Sequence, residues 1–207
     1  SSGTIDVELF REDTPITVAN FLAYANAGIW DGTFFHRAAE SGGQEFVIQG
    51  GGFSSTTLDA LETFDPILNE FGISNLRGTI AMAKLGGDPN SATNQWFFNL
   101  GDNSANLDFQ NGGFTVFGEI VGAAGLNVMD AIAALEVVNA TAQGGAFNEV
   151  PVNDAQAVSD NGGTVTAGDL VVISRLSILV DLDGEPFGQL DDTGALVISN
   201  NAGDVTI

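Results

Sequence analysis

Cysteine is absent from this chain of 207 residues, and histidine occurs only once. Disulfide bonds, thiol nucleophiles and zinc sites built from several histidines are therefore excluded. Basic side chains are also scarce, because 5 lysines and arginines stand against 27 aspartates and glutamates, which gives a formal net charge of −22. A surface of this charge repels phosphate backbones and anionic lipid, so we expect no nucleic-acid partner. The sequence also lacks an apolar run of membrane-spanning length, so we expect no membrane insertion.

The rest of the composition is that of a folded globular protein. Hydrophobic residues make up 44% of the chain and include 15 phenylalanines, enough for a sizeable core. The acidity either attracts a basic partner or serves solubility and salt tolerance, and we favour the second interpretation because net charge bears mainly on solubility. Scarce lysine and missing cysteine suit an exported protein, so we expect a periplasmic or extracellular location rather than a cytoplasmic one.

Two helices and many short strands are predicted. Thr14 precedes Pro15, which is typical of a helix start with a capping threonine, and residues 26–28 supply a stop signal. A second helical pattern covers 126–135. Short strands in such number favour a closed antiparallel barrel over alternating β-α-β units. Strand-length segments bounded by turn residues lie at 3–10, 33–37, 45–49, 79–83, 95–99, 115–121 and 170–180.

The C-terminal part of the chain has a different character. Residues 139–168 are rich in glycine, asparagine, alanine and aspartate, and a loop insertion is predicted there. Residues 181–207 carry turn signals around short apolar runs, a pattern typical of a β-hairpin. We therefore predict a main domain over 1–180 and a C-terminal extension over 181–207 that packs on the barrel.

The stretch that carries the chemistry is FFHR at 34–37, followed by FVIQGGGF at 46–53. It places one guanidinium (Arg37) and one amide (Gln49) among large apolar side chains. No nucleophile stands beside a base, so the set suits hydrolysis poorly. It suits binding of an uncharged, partly apolar group and polarisation of an amide.

Several sequence blocks resemble those of the cyclophilins, in the order and rough spacing of that family. Two further blocks, at 66–70 and 75–78, resemble the bacterial type in particular. The resemblance extends over about 3–135, and the strand at 170–180 fits as well. The family blocks are GTI at 3–5, TP at 14–15, NF at 20–21, FHR at 35–37, FVIQGGGF at 46–53, GTIAMA at 78–83, QWF at 95–97 and VFG at 116–118.

The resemblance implies an all-β fold with two helices, in which a closed eight-stranded antiparallel barrel is capped by the helices. It implies peptidyl-prolyl cis/trans isomerase activity at a site on the outer face of the barrel, with Arg37 as the catalytic guanidinium and Gln49 beside it. No cofactor and no metal are implied, and the implied partners of this monomer are proline-containing peptides and unfolded proteins. The implied substrate-binding residues are Phe46, Val47, Phe97 and Leu107 at the proline pocket, Ala83, Lys84 and Gln95 along the peptide groove, and Phe114, where the family often has histidine or tyrosine.

Three site positions depart from the family pattern. Asn106 stands where cyclosporin-sensitive members have tryptophan and many bacterial members another aromatic residue, which predicts weak cyclosporin binding. Val47 replaces a frequent methionine and makes that wall shorter and stiffer. Lys84 replaces asparagine or arginine and is expected to give the groove a positive charge.

The family also has a strand ahead of the one predicted at 3–10, and this sequence begins without it. Its absence would leave a sheet edge unpaired, which folded proteins avoid. Either residues preceded Ser1 and were removed, or the segment 181–207 covers that edge.

Strand alternation assigns the aromatic residues near the site to two faces. Phe97 is expected on the outer face, whereas Trp96 and Phe98 are expected to point into the barrel. His36 is interpreted as a structural neighbour of Arg37, because isomerisation transfers no obligatory proton.

Three functions are compatible with the sequence. The leading hypothesis is an isomerase that assists protein folding. The alternatives are a proline-peptide binding or chaperone-like module with little turnover, and a structural extracellular module built around the C-terminal hairpin. Arg37 favours the first, because a pure binder needs the apolar pocket but no guanidinium.

Overall fold

The computed structural model describes residues 3–178 and 193–200 of the chain. Within these residues, no helix has both the length and the apolar character needed to cross a membrane. The strands are β1 (Thr4–Phe10), β2 (Thr33–Phe34), β3 (Arg37–Ser41), β4 (Gln44–Gly50), β5 (Thr79–Met82), β6 (Trp96–Asn99), β7 (Val116–Ile120), β8 (Val137–Val138), β9 (Val150–Pro151), β10 (Val172–Ile178) and β11 (Thr193–Asn200). The helices are α1 (Pro15–Asn26), α2 (Ser104–Leu107), α3 (Gly122–Ala133) and α4 (Ala155–Asp160), with a 3₁₀ turn over Gln110–Gly112.

Nine strands form one antiparallel sheet in the order β2-β10-β11-β1-β7-β5-β6-β4-β3, and β8 pairs with β9 separately. The two edge strands of the large sheet, β2 and β3, are separated along the chain by Phe35 and His36. The backbone N–H of Phe35 donates to the carbonyl oxygen of Val171, next to β10, at 3.0 Å. The backbone N–H of His36 donates to the carbonyl oxygen of Gln49 in β4, also at 3.0 Å. A large antiparallel sheet is therefore present. Within the described residues no ladder pairs β2 with β3, and the closed eight-stranded barrel stays a prediction.

The prediction of two helices is incomplete, because the described residues contain four α-helices. α1 begins at the predicted proline, and α3 covers most of the second predicted helix. The two additional helices, α2 and α4, have 4 and 6 residues. Helices this short complete too few turns to produce a recognisable apolar period.

α3 begins at Gly122, ahead of the predicted start at residue 126. The first turn of α3 contains only glycine and alanine, so the sequence shows no apolar periodicity there. Gly125 in this turn has a packing role. A Cβ atom there would lie 2.6 Å from the Ile120 side chain and 3.6 Å from the Cα of Ile5 in β1. Glycine therefore permits the helix to approach β1 closely.

β11 pairs antiparallel with β1, from Thr4 opposite Ser199 to Phe10 opposite Thr193, and pairs with β10 on its other side. This is the edge of β1 for which the sequence analysis left two explanations open. Most of the hairpin predicted at 181–207, including its turns over 179–192 and 201–207, lies outside the described residues. The division into a domain over 1–180 and an extension over 181–207 stays a prediction.

The N-terminus of α1 is capped by a residue distant in sequence. Thr14 occupies the predicted N-cap position, but its hydroxyl donates to the Phe10 carbonyl oxygen at 2.9 Å and makes no capping hydrogen bond to the helix. The Glu70 carboxylate accepts hydrogen bonds from the N–H of Ile16 at 3.1 Å and the N–H of Thr17 at 2.7 Å. It also accepts the Thr17 hydroxyl at 2.8 Å. A carboxylate satisfies the free N–H groups and complements the helix dipole.

We expect Glu70→Ala to lower the free energy of unfolding by about 1–2 kcal/mol, because α1 loses a charged cap and its first N–H groups lose their acceptor. The measurement is urea unfolding followed by tryptophan fluorescence. Glu62→Ala is the control, since Glu62 is exposed in the same connecting segment, and its expected effect is below about 0.5 kcal/mol. Equal effects of the two substitutions would contradict the capping role.

The large sheet has a buried apolar cluster on each face. Trp96 and Phe98 belong to the larger cluster, the main core. Phe97 belongs to a smaller cluster on the opposite face, which we call the outer cluster. The alternation predicted along β6 is thus confirmed. The buried members of the outer cluster are Ala39, Val47, Ala81, Phe97, Leu107 and Val116.

The segment 139–168 is more ordered than the predicted loop insertion, because it contains β9 and α4. Its buried residues Phe147, Val150 and Val158 pack in a third apolar cluster together with Phe34 of β2. The prediction of loops alone is wrong for this reason. A strand of 2 residues and a helix of 6 residues give no measurable periodicity among glycines and asparagines.

Candidate active site

A row of directly opposed residues across four strands defines the candidate site. Arg37 in β3 is opposite Gln49 in β4, and Gln49 is opposite Phe97 in β6. Phe97 is in turn opposite Ala81 in β5. Because opposed residues of an antiparallel sheet share a face, the register places the guanidinium, the amide and the phenyl ring together on the outer face.

These side chains line a pocket of about 260 Å³, which we call the Arg37 pocket. The structure brings all the predicted site residues to its wall except Gln95. Gln95 lies behind Gln49, whose side-chain amide donates to the Gln95 side-chain oxygen at 2.8 Å. Asn106 and Gln110 complete the wall, and the other lining residues are Arg37, Phe46, Val47, Gln49, Ala83, Lys84, Phe97, Leu107 and Phe114.

The floor of the Arg37 pocket is formed by buried apolar side chains. Val47, Phe97 and Leu107 are buried members of the outer cluster. The ring of Phe114 meets that of Phe97 edge to face, with 5.8 Å between the centroids. A pocket of this size and lining suits a small aliphatic ring next to a polar group, since the charged side chain stands at one side of it.

A second cavity of about 330 Å³ adjoins the Arg37 pocket, and Phe46 and Asn106 line both. Apart from Phe46, none of the predicted site residues lines this second cavity. The guanidinium is in the first cavity, so we take the Arg37 pocket as the candidate site. The remaining residues of the second cavity are Gln44, Glu45, Gly101, Asp102, Asn103 and Ala105.

Arg37 forms an ion pair that the sequence analysis did not predict. Its Nε atom lies 3.0 Å from Oε2 of Glu149, and the two side chains are 35% and 32% exposed. Within the part of the chain that the structure describes, the terminal Nη groups of Arg37 have no hydrogen-bond partner. Glu149 lies 112 residues further along the chain, in the segment expected to form loops, so no local pattern could have revealed it.

His36 is buried next to the site, as expected for a structural neighbour of Arg37. Its ring contacts the Phe53 ring, with centroids 4.8 Å apart, and its Nδ1 atom has no hydrogen-bond partner among the described residues. Burial, and secondly the charge of Arg37, lowers the pKa of His36 from 6.5 to about 4. A hydrogen bond with the Gln95 side chain opposes this shift. The imidazole is therefore neutral at neutral pH.

Lys84 lines the Arg37 pocket, but its ammonium group is occupied by protein oxygens. It donates to the carbonyl oxygens of Gly113 at 2.5 Å and Asn111 at 2.9 Å, and to the Asn69 side chain at 3.2 Å. It also lies 4.8 Å from the centroid of the Phe114 ring. Burial lowers the pKa of Lys84, and the charge of Asp88 opposes the shift. The ammonium group therefore holds the loop that carries Phe114.

Three buried asparagines, which sequence reasoning missed, support both walls of the Arg37 pocket. The side-chain amide of Asn103 donates to the Phe46 carbonyl and to the Asn99 side chain, both at 2.8 Å. Asn99 donates to the side-chain oxygen of Asn75 at 3.2 Å. Asn75 donates to the Phe114 carbonyl at 3.1 Å. This network fixes the backbone of Phe46 relative to that of Phe114.

Comparisons with known proteins identify the family of this chain. The sequence profile of the family described as Cyclophilin type peptidyl-prolyl cis-trans isomerase/CLD matches residues 1–157. The chain belongs to this family, and hence to a class of enzymes, the peptidyl-prolyl cis/trans isomerases of EC 5.2.1.8. Both predictions are confirmed.

Three curated relatives show the extent of the similarity. The peptidyl-prolyl cis-trans isomerase of Acinetobacter baylyi is 40% identical over 134 residues, which cover 63% of this chain and 67% of the relative. Peptidyl-prolyl cis-trans isomerase A of Dickeya dadantii is 39% identical over 155 residues, or 73% of this chain and 75% of the relative. Peptidyl-prolyl cis-trans isomerase B of Escherichia coli is 38% identical over 158 residues, or 73% and 89%.

The described residues contain no cluster of three or more histidine, cysteine, aspartate or glutamate side chains that could hold a metal ion.

Proposed function

We propose that this protein accelerates rotation about X-Pro peptide bonds in unfolded or partly folded polypeptides, with Arg37 as the catalytic group and the Arg37 pocket as the seat of the proline ring. The observation that carries the proposal is the position of Arg37 at one side of a pocket whose floor is formed by the buried apolar residues Val47, Phe97 and Leu107. Membership of the cyclophilin family supports the reaction class.

Isomerisation of an X-Pro bond requires few functional groups. Resonance puts a barrier of about 18–20 kcal/mol between the cis and trans forms, so uncatalysed exchange takes roughly tens to hundreds of seconds. No bond to the substrate is made or broken during rotation, so the reaction requires neither a nucleophile nor a cofactor. The protein has only to bind the twisted amide more tightly than the planar one.

Arg37 supplies that preference. Twisting the amide ends its conjugation and returns a lone pair to the proline nitrogen. A guanidinium is always charged and carries five donors, so it binds the twisted amide more strongly than the planar one. Its Nη groups have no partner within the described residues and are free to donate to substrate. Gln49, held by Gln95 at 2.8 Å, offers a further polar contact beside it.

The apolar wall restrains the proline ring while the acyl side rotates. Phe46, Phe97 and Leu107 line the Arg37 pocket. A proline ring bound against them would displace water from the pocket, and the lower polarity would strengthen the interaction of the guanidinium with the developing lone pair. Ala83 and Phe114 extend the wall along the peptide groove.

The experiment that tests the function is a protease-coupled isomerisation assay on a tetrapeptide with a central X-Pro bond, combined with equilibrium binding of a proline peptide. We expect both binding and turnover. Binding without turnover would favour the second candidate, a proline-peptide binding or chaperone-like module. Faster refolding of a protein whose folding is limited by proline isomerisation would support the proposed role in protein folding.

Weak cyclosporin binding is part of this proposal. Asn106 lies at the wall of the Arg37 pocket and offers neither an indole N–H nor the area of an aromatic ring. We expect inhibition of the isomerase at micromolar cyclosporin or above, and Asn106→Trp should strengthen it. Nanomolar inhibition of the natural chain would contradict this prediction.

We further propose that the sheet closes into a barrel of eight strands and that the protein acts as a monomer. Barrel closure is supported by the short connection between the edge strands β2 and β3, which are separated by two residues. If β2 and β3 are counted as one bent strand, the nine strands of the sheet become eight. We place the protein outside the cytoplasm on its composition, in the periplasm or beyond the cell. These proposals do not affect the chemistry of the Arg37 pocket.

A further inference from the structure

The ion pair between Arg37 and Glu149 joins the candidate catalytic group to a segment outside the sequence blocks that resemble the family. Oε2 of Glu149 accepts from Nε of Arg37 at 3.0 Å. Nε is the nitrogen nearest the side-chain stem, and a bond there leaves both Nη groups without a partner in the described residues. The bond therefore fixes the plane of the guanidinium while its terminal donors stay available.

Glu149 is itself held firmly by its neighbours. Its carbonyl oxygen accepts the N–H of Ala38, the residue after Arg37, at 2.8 Å. Phe147, two residues before it, and Val150, the residue after it, are both buried in the third apolar cluster. The backbone of Glu149 is thus held against β3 by a hydrogen bond at the residue after Arg37 and by buried neighbours on both sides.

An unsupported arginine would lack this restraint. The Arg37 side chain is 35% exposed, and a long side chain in water samples many rotamers. Rotation catalysis depends on a donor held at hydrogen-bond distance from the proline nitrogen, and its position must be correct to within a fraction of an ångström. The bond to Nε restricts the rotamers of Arg37 before substrate binds, so less side-chain entropy is lost when the transition state forms.

We propose that Glu149 is the positioning residue for Arg37, acting on X-Pro rotation through the orientation of the guanidinium and not through contact with substrate. This inference rests on the proposed function. It assigns to the segment 139–168 a part in catalysis. The opposite role, a brake that neutralises Arg37, predicts faster turnover when the carboxylate is removed.

The experiment compares kcat and KM of Glu149→Ala and Glu149→Gln with those of the natural chain, with activity measured by NMR line-shape analysis of a proline peptide. We expect Glu149→Ala to lower kcat by about tenfold, with KM within about twofold, because the pocket that binds the ring is intact. Glu149→Gln keeps an oxygen that can accept from Nε, so its kcat should stay within about threefold of the natural value. Both variants should melt within about 3 °C of the natural chain.

A matched control is available in Asp130→Asn. Asp130 pairs with Arg77 at 2.9 Å, and the two side chains are 46% and 43% exposed, but neither lines the Arg37 pocket. Loss of this ion pair should leave kcat unchanged. If Glu149→Ala fails to fold, Glu149→Leu decides in its place, because leucine keeps the packing volume but accepts no hydrogen bond.

The double variant with Arg37→Ala separates positioning from a structural role. Positioning predicts that Glu149→Ala causes no further loss of kcat when Arg37 is already absent, whereas a structural role predicts the same fold loss in both backgrounds. An unchanged or raised kcat for Glu149→Ala, a Gln variant as slow as the Ala variant, or equal losses in both backgrounds would overturn the inference. Normal activity of Arg37→Ala alone would instead overturn the proposed function.

Discussion

Replacement of Arg37 by alanine is expected to lower kcat/KM for an X-Pro peptide by about a hundredfold or more. The loss of one positioned donor from a transition-state site costs about this much in other enzymes. Nearly all of the loss should appear in kcat, because the ring of the substrate is bound by Phe46, Phe97 and Leu107, which the substitution does not touch. The measurement is the protease-coupled assay at several substrate concentrations.

Two further variants give this prediction its controls. Arg37→Lys keeps a positive charge but replaces a planar fork by a single ammonium group, so its kcat should lie between those of the natural chain and the alanine variant. Arg77→Ala removes an exposed arginine that lies outside the Arg37 pocket, and it should leave kcat unchanged. A folded Arg37→Ala protein with natural turnover would rule out the catalytic role.

The pH dependence of stability is expected to report on His36. Its pKa is lowered from 6.5 to about 4 in the folded protein, chiefly by burial. Above 6.5 the imidazole is neutral in both states and contributes no pH dependence. As the pH falls below 6.5, His36 binds a proton in the unfolded chain but stays neutral in the folded protein, so the free energy of unfolding decreases. The decrease ends near pH 4, where the folded imidazole is protonated as well. The total loss is about 3 kcal/mol.

Comparison with His36→Gln isolates this contribution from that of the many carboxylates. Both proteins contain the same acidic residues, so the difference between their free energies of unfolding reports the imidazole alone. Urea unfolding at a series of pH values should show the natural chain losing about 3 kcal/mol more than the variant between neutral pH and pH 4. Parallel pH profiles of the two proteins would contradict the prediction.

Much of the fold was predictable from short-range signals. Apolar alternation and flanking turn residues located β1, β4, β5, β6, β7 and β10 to within a few residues. The prediction at 33–37 was less accurate, because β2 ends at Phe34 and β3 begins at Arg37. The chain changes pairing partner between them, from β10 to β4, and that depends on the arrangement of distant strands.

The candidate site was predictable where family blocks carry it. The register from Arg37 through Gln49 to Phe97 brings residues 12 and 48 positions apart onto one face, and the resemblance had grouped them without knowing the register. Gln95, the residue before β6, does not line the Arg37 pocket but accepts a hydrogen bond from Gln49. Its place along the peptide groove stays a prediction.

The supporting residues were beyond sequence reasoning for a physical reason. The side chain of Glu149 accepts a hydrogen bond from Arg37, and that of Glu70 accepts from the first turn of α1. Asn99 forms hydrogen bonds with the side chains of Asn75 and Asn103. These pairs meet only in the folded protein. A single polar side chain in a loop or at the end of a strand gives no sequence signal for the distant group that it contacts. The partner becomes evident once the backbone of both segments is in place.

Exchange spectroscopy by NMR on a proline peptide in the presence of the protein tests the central claim most directly. The claim is that the Arg37 pocket binds the twisted X-Pro bond in preference to the planar one. The account predicts cis and trans signals that exchange within about a second, against roughly tens to hundreds of seconds in buffer. A peptide that occupies the Arg37 pocket, shown by shifts at Phe97 and Leu107, while its two forms exchange no faster than in buffer would contradict the account.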